Sequence, residues 1–348
     1  MKRSSFLILI ILILFSCQNE NKKEVIKEEV KQETKANEFA ELDKQARTIF
    51  GVLDKEAVNP KNPITPEKVA LGKKLYFDKL LSLDKVQSCN TCHNVETYGV
   101  DNKQFSIGDK GKPGGRNSPT TFNAAFHIAQ FWDGREPDVE AQAGGPMLNP
   151  VEMAMPNEKE VIKRLSSDKE YKEMFDKAFP NDKQKINFEN VKKAIGAFER
   201  KLVTPSKFDK YIAGDDNALS PEEKKGLQTF INSGCISCHS GKLLGGNMFQ
   251  KFGLFGNYWE FTQSKKIDNG KFDVTKKEED KYVFKVPSLR NIEKTFPYFH
   301  DGSVKNLEDA VRIMAKLQNN KDLTDTQVKE IVTFLKTLTG EKPEVLMN

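Results

Sequence analysis

Two pentapeptides constrain this chain more than anything else in it: Cys89-Asn90-Thr91-Cys92-His93 and Cys235-Ile236-Ser237-Cys238-His239. Each puts two thiols and an imidazole side by side. In a Cys-x-x-Cys-His run the thiols add to the vinyl groups of a haem, and the His is carried beneath the iron as its proximal ligand. Zinc is the competing reading, but zinc sites made from two Cys-x-x-Cys pairs usually space them roughly 15–20 residues apart. Here the pairs lie in different halves of the chain, each with its own His. The expectation is two covalently bound haem c groups, held by Cys89, Cys92 and His93 and by Cys235, Cys238 and His239.

Cysteine arithmetic agrees. Of five cysteines, four lie in these motifs, so none is left for a structural disulfide. The fifth, Cys17, closes Leu14-Phe15-Ser16-Cys17 after a basic start (Lys2, Arg3) and an apolar run from Phe6 to Phe15. That run is shorter than the ~20 residues a membrane span needs, and fits a signal segment. Residues 1–17 read as a lipoprotein signal with Cys17 as the lipidated residue, which places the chain on the periplasmic side of a bacterial membrane. Residues 18–38, rich in Lys, Glu, Gln and Asn, read as a charged tether with little to bury. A net charge of +5 is too small an excess to argue for nucleic acid.

From Phe39 onward the apolar spacing is helical. Thr65-Pro66-Glu67 opens a segment carrying Val69, Leu71, Leu75 and Tyr76, with Pro suited to the first helical position. Ser220-Pro221-Glu222-Glu223 is a capping box ahead of Leu227, Phe230 and Ile231. Thr324-Asp325-Thr326-Gln327 opens a last helix striped by Val328, Ile331, Val332, Leu335 and Leu338, with Gly340 as its stop. Strand patterns are short and rare. The fold class expected is mainly α: two cytochrome c-like helical domains, each with one covalent haem, with long irregular loops at Gly99–Asn117 and Gly241–Lys285. Turn chemistry from Thr204 to Asn217 marks the boundary, giving domains at 39–204 and 205–348, the last helix being free to pack on the first domain. A distant repeat supports two modules. Gly72 and Tyr76 correspond to Gly226 and Phe230. Pro119, Asn123, Phe131, Asp133 and Gly134 correspond, at one fixed offset, to Pro287, Asn291, Phe299, Asp301 and Gly302, with Trp132 opposite His300.

The sixth iron ligand separates electron transfer from ligand activation. Only four histidines exist; with His93 and His239 committed, His127 and His300 remain. For the second haem the candidates are Met314, Met248 and His300; a core methionine is the competing reading of Met314. Around the first haem, Phe131-Trp132-Asp133-Gly134-Arg135, then Gln142, then Asn149-Pro150-Val151-Glu152-Met153 form an unusual stretch. Glu152 sits in a Pro-, Asn- and Met-rich loop rather than on a solvated helix face. A carboxyl against an apolar pocket has a raised pKa suited to moving protons. Trp132 suits electron transfer between haems, with core packing as its alternative.

With these residues in view, the chain resembles the bacterial di-haem cytochrome c peroxidases, from about Leu71 to Leu338. The resemblance rests on Ser88–Asn94, Arg116-Asn117-Ser118-Pro119-Thr120, Ala129–Arg135, Val151-Glu152-Met153, Pro287-Ser288-Leu289-Arg290-Asn291 and Pro297-Tyr298-Phe299-His300. It implies an N-terminal peroxidatic haem and a C-terminal electron-transfer haem. The reaction it implies is reduction of hydrogen peroxide by a small c-type cytochrome or a cupredoxin. It makes Glu152, with Gln142 and Phe131, the distal machinery, Trp132 the link between haems and Met314 the axial ligand of the second iron. It further implies a homodimer and a calcium ion held by the Asn117 side chain and the carbonyls of Thr295 and Pro297, an oxygen-rich shell.

One position departs from the pattern. Many relatives carry a His in the loop after Ser-Ile-Gly that caps the first iron when oxidised. Here that loop reads Ser106-Ile107-Gly108-Asp109-Lys110-Gly111-Lys112, with Asp109 at the matching place. This puts reductive activation in doubt and leaves Asp109 as the carboxylate alternative; His127 is assigned to packing. The rival function is a non-catalytic electron-transfer or redox-sensing di-haem cytochrome. A nearer rival, the branch that oxidises a partner protein's tryptophan, replaces the methionine ligand with Tyr, and Met314 argues against it.

Overall fold

The computed structural model describes residues 38–347; the signal segment, Cys17 and the tether as far as Asn37 lie outside them. Among the described residues the helices run α1 (Ala40–Ile49), α2 (Pro66–Phe77), α3 (Cys89–Cys92), α4 (Val139–Leu148), α5 (Glu158–Ser166), α6 (Lys169–Ala178), α7 (Phe188–Glu199) and α8 (Lys207–Ile212). After these come α9 (Pro221–Asn232), α10 (Tyr258–Thr262), α11 (Phe272–Thr275), α12 (Leu307–Asn319) and α13 (Asp325–Lys336). Among the described residues, those to Thr48 form one unit and those from Ile49 another. In the first, α1 carries Glu41 and Asp43 in its opening turn and Arg47 in its last, matched to the helix dipole. No described helix is long and apolar enough to cross a membrane.

The expected helix starts are present and for the expected reasons. Thr65 accepts from Lys68 N with Pro66 at the first position. Ser220 with Glu223, and Thr324 with Gln327, close reciprocal capping boxes. The last helix ends at Lys336, before Gly340. Gly340 therefore does not stop it. Its reason to be glycine is close approach: a Cβ there would lie 2.3 Å from Thr204 O.

The second unit is built twice on one plan. In the first half α2 crosses α7 so closely that a Cβ on Gly72 would meet Ala194 O at 1.9 Å; Tyr76 then packs edge-on against Phe198, centroids 5.2 Å apart. In the second half α9 crosses α13, a Cβ on Gly226 would meet Glu330 O at 2.2 Å, and Phe230 meets Phe334 at 5.1 Å. Glycine removes the obstacle to helix contact, and the aromatic one turn on fills the space beside it.

The turn segments repeat to the level of dihedral angles. Asn123 and Asn291 both have φ 61, Phe131 and Phe299 φ 63 and 70, Gly134 and Gly302 φ 69 and 56. The bridges Gln130↔Glu136 and Tyr298↔Val304 close the two turns in the same register. Both asparagine side chains donate to one atom, Thr204 Oγ1, at 2.7 and 2.9 Å, so the buried Thr204 joins the two halves.

The loop Gly99–Asn117 is irregular, as expected. Gly241–Lys285 is less so: it holds α10, α11 and a two-stranded antiparallel ribbon of β1 (Phe249–Lys251) and β2 (Val283–Lys285). Arg116 locks the two loops together, bidentate to Asp268 at 2.7 and 2.8 Å and bonded to Asp133 at 2.6 Å.

Candidate haem sites

At the first motif, Ser88 and Thr91 form a capping box around α3, which puts Cys89 and Cys92 on one short turn with His93 as its C-cap. His93 Nδ1 donates to Pro119 O at 3.0 Å, and Tyr76 Oη donates to His93 O at 2.7 Å. A backbone carbonyl on Nδ1 fixes the tautomer and frees Nε2 for a metal. The second motif is built alike: His239 Nδ1 donates to Leu244 O at 2.9 Å. All four thiols are half-buried and unpaired with one another. The donor set and the orientation of both imidazoles therefore fit two covalent haems.

Glu152 is brought to the first motif. Burial raises the thiols of Cys89 and Cys92, and the carboxylate of Glu152 adds a smaller upward push at each. Burial raises the Glu152 carboxyl above the ordinary range, opposed by a hydrogen bond from Asn149 and the charge of Arg135. The Asn149 Nδ2 donor lies 2.8 Å from Glu152 Oε1. Arg135 lies over the Phe131 ring, 3.3 Å from its centroid, and pairs with Asp133. Phe131 also reaches α4, where a Cβ on Gly145 would lie 3.7 Å from its Cζ, one turn beyond Gln142 on the same face. Arg135 thus stands between Phe131 and Glu152, with Asn149 bonded to Glu152 and Gln142 one turn before Gly145 on α4.

Asp109 does not extend as a free ligand. Its carboxylate accepts from Asp84 N at 3.1 and 3.3 Å, its side chain is fully covered, and its own N–H donates to Glu152 O at 2.7 Å. The residue ties the loop to two neighbouring segments.

At the second motif, Cys235, Cys238 and His239 line one cavity with Trp132, Met314 and His300. Met314, on α12, packs half-buried in the same apolar cluster as Trp132. Met248 does not line the cavity; its carbonyl is held by Val286 N–H. His300 is buried, stacked on Phe284 at 4.2 Å and edge-on to Tyr258 and Trp132. Trp132 donates from Nε1 to Asn117 O at 2.9 Å, two residues from the Pro119 carbonyl that holds His93.

Asn117, Thr295 and Pro297 line that cavity together. Asn117 Nδ2 donates to Lys103 O and Gln104 O, and Asn102 Nδ2 takes the carbonyls of Lys294 and Phe296, the alternate carbonyls of the same segment. The donors left are all oxygen, a set that fits calcium.

Sequence reasoning missed Glu199. It is buried, and its carboxyl is pushed up to about 8, by burial first and by Glu140 second. No periodicity distinguishes such a Glu from a solvated one.

A sequence model of the family described as di-haem cytochrome c peroxidase matches residues 66–217. The cytochrome c551 peroxidase of Nitrosomonas europaea is 45% identical over 83% of this chain and 86% of its own length. That of Pseudomonas aeruginosa is 46% identical over 87% and 88%. The chain belongs to the di-haem cytochrome c peroxidase family. Among solved structures, a MauG-like protein associated with microbial copper homeostasis superposes with a TM-score of 0.72 at 29% identity, over 83% of this chain and 94% of that one. The diheme peroxidase BthA from Burkholderia thailandensis, at 19% identity and TM-score 0.68 over 85% and 95%, shares the fold. Two haem c groups follow from membership of such a family.

Proposed function

We propose that this protein reduces hydrogen peroxide to water with electrons from a small c-type cytochrome or a cupredoxin. His239 and Met314 would hold the haem at which electrons enter, His93 would hold the peroxidatic haem, and Trp132 would link the two. The observation that carries the reading is the convergence of Glu152 on the His93 motif, with its carboxyl raised by burial. When bound, the first haem supplies the iron on which peroxide is held and reduced. The chain's part is acid–base work and positioning. Glu152 Oε1 is engaged by Asn149, so Oε2 is the atom that takes a proton from the near peroxide oxygen and returns it to the far one. Phe131 and Gln142 border that atom's path. Pro119 O holds the His93 ring, and Leu244 O the His239 ring, in the tautomer that ligates.

The remaining assignments are part of the same proposal. The domains divide at 204/205. Asn117, Thr295 and Pro297 hold calcium next to the turn that carries Trp132. The enzyme works as a homodimer on the periplasmic side of the membrane, anchored through Cys17.

Turnover of peroxide with a reduced cytochrome c separates this reading from a non-catalytic electron carrier, which would show none. Glu152→Gln keeps the shape and cannot ionise. Turnover should fall ~10²–10⁴-fold, the range of general acid–base catalysis, with haem content unchanged. Turnover retained within a few-fold would move the role to another residue.

A further inference from the structure

Lys285 is the last residue of β2, is only 6% exposed, and has no carboxylate among the described residues within ion-pair reach. Burial alone acts on its amine, pushing it down to about 8. Its contact is another base: Nζ lies 2.8 Å from His127 Nδ1. With Nδ1 accepting from the ammonium, His127 carries its proton on Nε2, and that atom is sealed from solvent with no partner. The amine therefore keeps two N–H groups to donate, and His127, whose Nε2 is sealed off, orients it. A buried cation without an anion is costly, and one hydrogen bond to a neutral imidazole offsets only part of that cost.

The pair is held rigidly. Lys285 N–H donates to Trp132 O, Ile128 N–H to Gly246 O, and Gly246 N–H to Val286 O, at 2.8, 2.9 and 2.8 Å. Gly246 must be glycine for the imidazole to lie there, since a Cβ would meet His127 Cδ2 at 2.6 Å. Both side chains line the cavity shared by Cys235, Cys238, His239 and Met314.

We propose that Lys285, oriented by His127, clamps a carboxylate, and that this carboxylate is a propionate of the haem that Cys235 and Cys238 would hold. The inference rests on the reading that this motif holds the second haem. The propionate supplies the anion the buried cation lacks, and Lys285 sets a positive charge beside the haem and against the backbone of Trp132. A cation there favours the reduced haem over the oxidised one.

The test uses the holoprotein with both haems. Peptide mass spectrometry first establishes haem on Cys235 and Cys238; its absence would defeat the reading of the motif, separately from the clamp. Lys285→Met should lower the midpoint potential of the low-spin haem and shift its propionate bending band in the resonance Raman spectrum. His127→Gln should move both the same way by less, and Lys285→Arg should keep the midpoint near the wild-type value. A midpoint and band unchanged in Lys285→Met would overturn the clamp. If Lys285→Met does not assemble, a propionate band identical to wild type in both His127→Gln and Lys285→Arg overturns it instead. A wild-type midpoint that responds to added acetate would show a site filled from solution and overturn the propionate assignment; insensitivity to acetate supports it.

Discussion

Asn149→Ala removes the 2.8 Å hydrogen bond from Nδ2 to Glu152 Oε1 while leaving the proposed proton carrier in place. A hydrogen bond to a charged group contributes ~1.5–3 kcal/mol, and one pH unit corresponds to about 1.4 kcal/mol. The full interaction is therefore ~1–2 units. Glu152 is not wholly sealed, so water recovers part of it, and a shift of about one unit remains. The sign is fixed. The Asn149 bond favours the carboxylate; without it the carboxyl keeps its proton to higher pH. Because the carboxylate must accept the first proton, the acid limb of kcat/KM for peroxide should move up by about one unit. The high-pH plateau should stay. The loop survives the change, since Glu152 N–H and Ala154 N–H both donate to the Asn149 carbonyl, a backbone contact; only the side-chain bond from Val151 N–H is also lost. The assay is steady-state peroxide turnover from acid to neutral pH with a reduced cytochrome c. An acid limb that stays put, or moves down, would refute the role of Asn149 in tuning Glu152.

Met314→His should lower the potential of the second haem, because imidazole replaces a thioether; a methionine-to-iron charge-transfer band retained in the variant would remove Met314 as ligand. The protein as isolated should show a high-spin ferric signal beside a low-spin one and react with peroxide without prior reduction, since Asp109 is bound to Asp84 N–H and His127 to Lys285. A purely low-spin resting spectrum, with reaction only after one-electron reduction, would show another cap. Gly72→Ala forces a Cβ to within 1.9 Å of Ala194 O and should cost ~1–3 kcal/mol or more as overpacking; thermal melting checks it, and an unchanged Tm would mean that α2 and α7 can part freely.

The helical class, the helix starts and the doubled plan were legible because each rests on local signals: caps, apolar spacing and recurrent Gly and aromatic residues. Long-range roles were not. Gly340 looked like a helix stop because its neighbours are helical; its real constraint is the backbone of Thr204, far away in sequence. For Lys285 the one local hint of burial is its place inside the apolar run Val283-Phe284-Lys285-Val286. His127 was assigned to packing, and nothing local announces the amine against it. Asn149 has the same limitation, since its partner is three residues on but only the turn brings Oε1 to Nδ2.

The duplication explains how one frame serves the two chemistries proposed. The turns at Phe131–Gly134 and Phe299–Gly302 share their backbone conformation, so Trp132 and His300 occupy equivalent places. They also meet, edge to face at 6.3 Å, because Asn123 and Asn291 hang both turns from Thr204. The equivalent residues of the two halves therefore lie against each other rather than at opposite ends of the molecule. On that common frame only side chains differ. After the first turn comes α4 and the Asn149–Glu152 loop, which carries Glu152, the proposed acid–base group of the His93 site. After the second comes α12, which sets an apolar face and Met314 into the cavity of His239. Trp132 belongs to the first turn but packs in the cluster of the second half, with its backbone on Lys285. A change at Thr204 would accordingly disturb both sites at once, whereas changes at Glu152 or Met314 should stay confined to one.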